Sequence, residues 1–270
     1  MRHKKTGVVL LGSTGMLGSY LSIILEEYGY NVILPRFDAT AVDQHDLETL
    51  LRAADASTCI NCIGVIKQRD LPETLMRRVN GVFVHDLAHA CEQAGIDLIH
   101  FSTDCVFSGK RGKYSELDAP DATDAYGVSK REGEPASACV VRTSVIGSEW
   151  GRKLSLLEWL KRQKRGVCEG YTNFLWNGVT ALQLAVFVEM LLREAPGAGL
   201  IHYFSPRDIS KHDLLVEMST AYSLEVGIRA RAMPESLDRT LRSIHGPRLV
   251  PDIREQLVTL RKFDERHKFL

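Results

Sequence analysis

The sequence predicts an α/β protein: a doubly wound parallel sheet with a smaller, mainly helical lobe. Three observations carry this. Short apolar runs alternate with helical periods, glycines close the first run, and two charged segments, 149–175 and 205–270, break the alternation. Residues 6–11 form a strand rich in valine and leucine, followed by Gly12-Ser13-Thr14-Gly15-Met16-Leu17-Gly18 and a helical period through Tyr28. Residues 31–34 predict a second strand after the helix stop at Gly29. A helix over 47–54, a buried strand over 58–63, a long helix over 75–94 and a strand over 97–101 follow. A helix over 124–133 leads to a strand over 139–144, and a helix over 182–192 that is apolar nearly all round precedes a strand over 200–204. Residues 1–148 and 176–204 are thus expected to form the sheet domain. The segments 149–175 and 205–270 are expected to build a lobe over the carboxyl ends of the strands, where ligands of such sheets bind.

The chain has 270 residues, 44% hydrophobic and 25% charged, enough for one large core with an appendage. Its 34 basic and 34 acidic residues cancel, so no global field selects nucleic acid or an anionic membrane. The basic start Met1-Arg2-His3-Lys4-Lys5-Thr6 precedes an apolar run too short for a signal peptide, and no apolar run approaches the length of a membrane span. A cytoplasmic protein is expected. The six cysteines lie in apolar stretches, as reduced, packed thiols do. Cys59 and Cys62 form a CxxC without a second pair, which reads as two positions of a buried strand rather than a metal site, and no metal is expected.

Gly12, Gly15 and Gly18 sit between a strand and a helix, where small residues let backbone approach a pyrophosphate and the helix N-terminus offers unpaired N–H groups. Thr14, Met16 and Leu17 belong to the same loop. After the second strand, Arg36 suits a 2′-phosphate and favours NADPH, with NADH the weaker alternative because Asp38 is two residues away. Further on, Tyr126 and Lys130 stand four apart on an expected helix, hence on one face, downstream of Thr103. A phenol, an ammonium that lowers its pKa and a hydroxyl that binds the carbonyl oxygen can together assist reduction of a ketone by the hydride of such a cofactor. Asn173 and Trp176, in a polar and aromatic stretch between two helices, are candidates to orient a sugar or phosphate, or else a wedge that simply packs. The run Lys161-Arg162-Gln163-Lys164-Arg165 reads as a solvated helix end or as attraction for a diphosphate.

The order and spacing of Gly12 to Gly18, Asn61-Cys62-Ile63-Gly64, Val79-Asn80, the stretch from Phe101 to Gly109, Tyr126 to Lys130, Gly133-Glu134 and Val141-Arg142-Thr143-Ser144 resemble the extended short-chain dehydrogenases/reductases. Within them the chain resembles the dTDP-4-dehydrorhamnose reductase branch. The resemblance implies a Rossmann-type fold and NADPH-dependent reduction of a nucleotide-linked 4-keto-6-deoxy sugar, in surface-polysaccharide or deoxysugar biosynthesis, by a possible homodimer. It implies a catalytic triad of Thr103, Tyr126 and Lys130. Cys62, Ile63 and Gly64 would line the cofactor trough, with Asn80 near the nicotinamide and Asp43 near adenine. Asp104, Cys105, Val106, Arg142, Thr143 and Ser144 fall on the substrate side. Cys105 stands where the family often has tyrosine, and Asn61-Cys62-Ile63 replaces the usual Asn-Ala-Ala. A dehydratase would follow Asp104 with glutamate; an epimerase holding NAD tightly and a non-catalytic, reductase-like regulatory subunit remain as alternatives.

Overall fold

The computed structural model describes residues 7–69, 71–151, 153–195, 197–246 and 248–269, so the basic residues 1–6 lie outside it. By contacts the chain divides into two units, the first comprising the chain up to Val106, Ala122–Arg142 and Ala185–Ile201. The first unit is built on β1 (Gly7–Leu11), β2 (Asn31–Ile33), β3 (Thr58–Asn61), β4 (Asp97–Thr103), β5 (Cys139–Thr143) and β10 (Gly199–His202). Their order in the sheet is β10-β5-β4-β3-β1-β2. Every residue of β1, β3 and β5 is buried, with no polar alternation, as expected for strands covered on both faces. The pairings β1–β2, β1–β3 and β3–β4 are parallel, with Val8 opposite Val32, Val9 opposite Cys59 and Ile60 opposite Ile99. Because β1 lies between β2 and β3, the winding reverses beside it. Such reversals open a crevice at the carboxyl ends of the strands.

Helices α1 (Met16–Glu27), α2 (Gln44–Ala53), α3 (Glu73–Arg77), α4 (Phe83–Ala94) and α5 (Ala125–Glu132) belong to this unit. Leu47, Leu51, Phe83 and Leu87 of α2 and α4 join Val9, Leu11 and Val140 of the sheet in one core. Truncating a buried leucine such as Leu87 to alanine would cost about 2–5 kcal/mol. The chain leaves α4 at Gly95, whose φ of +68° is the left-handed conformation that ends helices.

Boundaries differ from expectation for local reasons. α2 starts at Gln44 because the Asp43 carboxylate accepts the Asp46 N–H at 2.9 Å. β3 stops at Asn61, whose side-chain oxygen takes the Ile63 N–H at 3.0 Å and turns the chain out of the ladder. Between α3 and α4 the backbone forms a π-helical turn, Arg78–Val82, a widening often found at functional sites.

The second unit comprises Phe107–Asp121, Thr143–Leu184 and the chain from His202. It holds β6 (Val145–Ile146), α6 (Leu156–Arg162), β7 (Val167–Tyr171), β8 (Phe174–Trp176), β9 (Val179–Thr180), β11 (Ile209–Ser210), α8 (Lys211–Ala221), β12 (Gly227–Arg231), β13 (Leu237–Asp238) and α9 (Ile253–His267). The helix α7 (Ala181–Glu194) begins in this unit. Residues 107–121 group here, although they precede the expected boundary. The Asp238 N–H donates to the Gly109 carbonyl at 2.7 Å, and the Tyr114 N–H to the Thr240 carbonyl at 2.9 Å. A buried network joins three helices: Ser148 and Tyr222 each donate to Asp264 at 2.6 Å, and Lys161 donates to Ser148 and Glu158 at 2.8 Å. Among the described residues no helix is long and apolar enough to cross a membrane, and no cluster of residues could hold a metal.

Candidate active site

The turn after β1 needs glycine for steric reasons. Gly12 has φ +76°, and a Cβ there would lie 2.8 Å from the Cys62 carbonyl carbon; a Cβ on Gly18 would lie 2.2 Å from the Gly12 oxygen. The turn is therefore pressed against the segment that follows β3. Gly15 caps α1 without a side-chain hydrogen bond, so the amides of Met16, Leu17 and Gly18 keep the open donors of a helix start. Thr14 and Gly15 are exposed. Such an arrangement of backbone donors suits an anion.

Beyond β2, Arg36 is exposed and makes no ion pair among the described residues. Its rival Asp38 is already engaged, accepting the Thr40 N–H at 2.9 Å and hydroxyl at 2.7 Å, and these bonds hold its carboxyl below the usual range. A shallow pocket of about 320 Å³ opens beside it, lined by Phe37, Asp38, Ala41, Val42, Asp46 and Leu50. Asp43, expected near a base, acts in this structure as the cap of α2.

The segment after β3 is held from two sides. Asn80, fully buried in the π-helical turn, accepts the Val65 N–H at 2.8 Å and donates to the Val65 carbonyl at 2.9 Å and to Ser129 at 3.1 Å. Its side chain thus ties the segment of Cys62, Ile63 and Gly64 to α5. Ser129 in turn donates to the Tyr126 carbonyl at 2.9 Å.

Tyr126 and Lys130 lie on α5, which starts where Asp124 accepts the Gly127 N–H at 3.2 Å. The glycine between them is required by packing: a Cβ on Gly127 would lie 2.4 Å from the Cys105 carbonyl oxygen. This close approach places α5 beside the end of β4, where the Thr103 hydroxyl is near enough to act on the Tyr126 phenol. Thr103 also donates to Asp104 at 3.0 Å and accepts the Cys105 N–H at 3.1 Å. Lys130 is buried, and its ammonium donates to the Phe101 carbonyl at 2.7 Å.

The electrostatics depart from expectation. Desolvation pushes the Tyr126 phenol well up, with Cys105 and Asp104 adding to the rise and the Thr103 hydrogen bond opposing it. The residue as a whole is half-buried. Lys130 is not among the larger influences on the phenol. Burial lowers Lys130 itself to about 8, against the pull of Glu134 and Cys62. The phenol is thus raised where a depression by Lys130 was expected, burial being the largest influence.

The candidate substrate residues divide. Asp104 and Cys105 adjoin Thr103, but Val106 is fully buried in the core. Arg142 is buried and makes a two-pronged ion pair with Glu134, at 2.8 and 2.6 Å, whose carboxylate also accepts the Ser102 hydroxyl. Thr143, Ser144, Asn173 and Trp176 belong to the second unit. Thr143 is buried, and its hydroxyl has no partner among the described residues. The Ser144 carbonyl accepts the Val179 N–H at 2.8 Å. Asn173 binds the backbone of Met233 through both ends of its amide, at 3.0 and 2.7 Å. Trp176 is buried, with an indole N–H lacking a partner among the described residues and Lys211 4.9 Å from its ring centre. In the basic run, Lys161 serves the Asp264 network, Arg162 donates to the Lys153 carbonyl, and Arg165 pairs with Glu225.

Glu134, Ser102 and Asp124 escaped the sequence reading as site residues. The dipeptide Gly133-Glu134 was a usable signal. A Cβ on Gly133 would meet the Asn80 carbonyl oxygen at 1.8 Å, so that glycine, too, marks a close approach.

A family model described as RmlD substrate binding domain matches residues 6–243. The chain belongs to that family. Among the relatives of this RmlD-family chain is a dTDP-4-keto-6-deoxy-D-glucose reductase of Streptomyces niveus, 27% identical and matched over 76% of this chain and 75% of its own length. Another is methionine adenosyltransferase 2 subunit beta of Danio rerio, 24% identical over 80% of this chain and 74% of the relative. A dTDP-4-dehydrorhamnose reductase from Bacillus anthracis, solved in complex with NADP, shares the fold with a TM-score of 0.84 and 20% identity, covering 96% of this chain and 99% of that one.

Proposed function

We propose that the protein is an NADPH-dependent reductase of a nucleotide-linked 4-keto-6-deoxy sugar, in surface-polysaccharide or deoxysugar biosynthesis. The observation that carries this is the meeting of Thr103, Tyr126 and Lys130 at the end of β4. The named activity of the Streptomyces niveus relative supports it. The chain's own residues fit the cofactor: Gly12, which cannot carry a Cβ, and the uncapped start of α1 suit a pyrophosphate, and Arg36, without an ion pair among the described residues, suits a 2′-phosphate. When bound, NADPH supplies the hydride that reduces the keto carbon.

Thr103 binds the carbonyl oxygen, and Tyr126 gives that oxygen its proton as negative charge develops there. The raised phenol pKa means that Tyr126 carries this proton throughout the neutral range. Lys130, one helical turn away, supplies the positive charge that eases its departure. The transfer leaves an alcohol on the sugar and a phenolate on Tyr126, which solvent reprotonates. A cytoplasmic homodimer is part of the same reading, and sedimentation tests the dimer.

The rival is a regulatory subunit, favoured by the Danio rerio relative. Purified protein offered several nucleotide 4-keto sugars, each with NADPH or NADH, separates the two. Oxidation of NADPH by one of the sugars is expected. Cofactor binding with no turnover on any of them overturns the reductase.

A further inference from the structure

We infer that His100 is a positioning residue for the cofactor wall: it orients Asn61, and Asn61 sets the turn over 62–64 against which the glycine loop closes. This rests on the proposed binding of NADPH. His100 is fully buried in β4 and stands directly opposite Asn61 of β3 in the parallel register. The Asn61 amide bridges two partners, with its oxygen on the Ile63 N–H at 3.0 Å and its nitrogen 3.1 Å from His100 Nδ1.

The direction of every bond follows from one fact. A backbone N–H only donates, so Ile63 demands the Asn61 oxygen, and the Asn61 NH₂ must then face His100. Nδ1 can accept only in a neutral ring that carries its proton on Nε2. Burial, then the charges of Lys130 and His85, keep the ring neutral, lowering its pKa well below the ordinary histidine value. Nε2 has no hydrogen-bond partner among the described residues, so the bond to Asn61 is the one polar role the ring is seen to play there.

What the bridge holds is the wall of the proposed pyrophosphate cradle. A Cβ on Gly12 would lie 2.9 Å from the Ile63 nitrogen, the atom that Asn61 fixes. Asn80 clamps the next residue but one, Val65, from the opposite side. A shift of this turn therefore moves the surface on which Gly12 rests. His100 touches no ligand in this account and acts through Asn61.

The test uses the full chain and measures NADPH affinity by fluorescence titration, with kcat, KM and unfolding temperature alongside. His100→Leu removes the acceptor. His100→Asn offers a carbonyl oxygen near the Nδ1 position. The leucine variant is expected to weaken NADPH binding, and raise its KM, about tenfold while kcat changes less than about twofold. The asparagine variant should recover most of that loss. If the leucine variant does not fold, Asn61→Ala removes the same bridge and should show the same affinity loss. Wild-type affinity in the bridge-deleted variant overturns the inference, and so does an equal loss in His100→Leu and His100→Asn, which would mean packing alone. Wild-type protein that binds no NADPH overturns the function reading as well, so the two failures are distinguishable.

Discussion

In the first unit, buried polar side chains link one to the next around Tyr126. Asn80 holds Val65 and Ser129, Ser129 holds the Tyr126 carbonyl, and Glu134 gathers Ser102 and Arg142 beside Lys130. In the second unit the same residue types tie strands, loops and helices of the lobe to one another. Asn177 binds both backbone groups of Leu241, Asn173 both of Met233, and Asp264 collects Ser148 and Tyr222. The bonds are alike in kind. The difference is that the braced parts of the first unit carry the proposed chemistry, whereas those of the second maintain a lobe. Finding an amide or arginine in a promising stretch therefore locates a segment without saying whether its side chain meets a ligand.

The hardest test of that contrast is Tyr126→Phe. It keeps the ring and removes the proposed proton, so kcat should fall by about 10²–10⁴ with NADPH affinity and unfolding temperature unchanged. A variant reducing the sugar at the wild-type rate would make the first unit's network as purely structural as the second's.

Next is Arg142→Met, which leaves the largely buried Glu134 carboxylate without its guanidinium partner. A loss of about 3–5 kcal/mol in urea unfolding is expected. The double variant Arg142→Met, Glu134→Leu removes both charges and should regain most of it. A small loss in the single variant would show that Glu134 reaches water, and the ion pair would not be a buried brace.

Most of the first unit was legible because its signals are local. The glycines of the first turn, the all-apolar strands and the Tyr126–Lys130 spacing each reflect a constraint within a few residues. The role of Arg142 was not legible, because its partner Glu134 is set by how β5 passes α5, and the residue type suits a phosphate equally well. The partner of Asn173 was hidden for the same reason: Met233 is sixty residues away. The upward shift of Tyr126 was not legible because it is set chiefly by how far the phenol is buried, which no local motif states.

Lys130 offers a test in pH. Its folded-state pKa of about 8 lies below the ordinary 10.5. Between those values the unfolded chain holds a proton that the folded chain has released, so this residue's contribution to stability rises with pH across the window. Below it, the cost of a buried charge weighs in full. The unfolding free energy of wild type relative to Lys130→Met should therefore climb from about pH 8 to about pH 10, while wild-type kcat falls as the ammonium is lost. A difference flat in pH would mean that Lys130 remains hydrated.

Arg36 sharpens the comparison from the opposite side, as an exposed arginine without an ion pair among the described residues. Arg36→Ala should weaken NADPH by about 1.5–3 kcal/mol and NADH far less, since only the former has a 2′-phosphate to lose a charged hydrogen bond. Equal losses in titrations with the two cofactors would remove it from the site.

The smallest effect belongs to Asn173. Its amide mimics a strand, giving Met233 both the acceptor and the donor that a neighbouring backbone would supply. Two half-buried bonds at about 1 kcal/mol each predict a loss of about 1–2 kcal/mol for Asn173→Ala, or a few degrees in Tm. NADPH affinity should be untouched, because the cradle lies in the first unit. Asn173→Asp keeps the oxygen for the Met233 N–H but turns the donor facing the Met233 carbonyl into a second acceptor, so it should be no more stable than the alanine. If Asn173→Ala keeps its Tm but raises KM for the keto sugar, the amide is a ligand contact after all. The contrast between the two units would then fail at the residue where it was most sharply drawn.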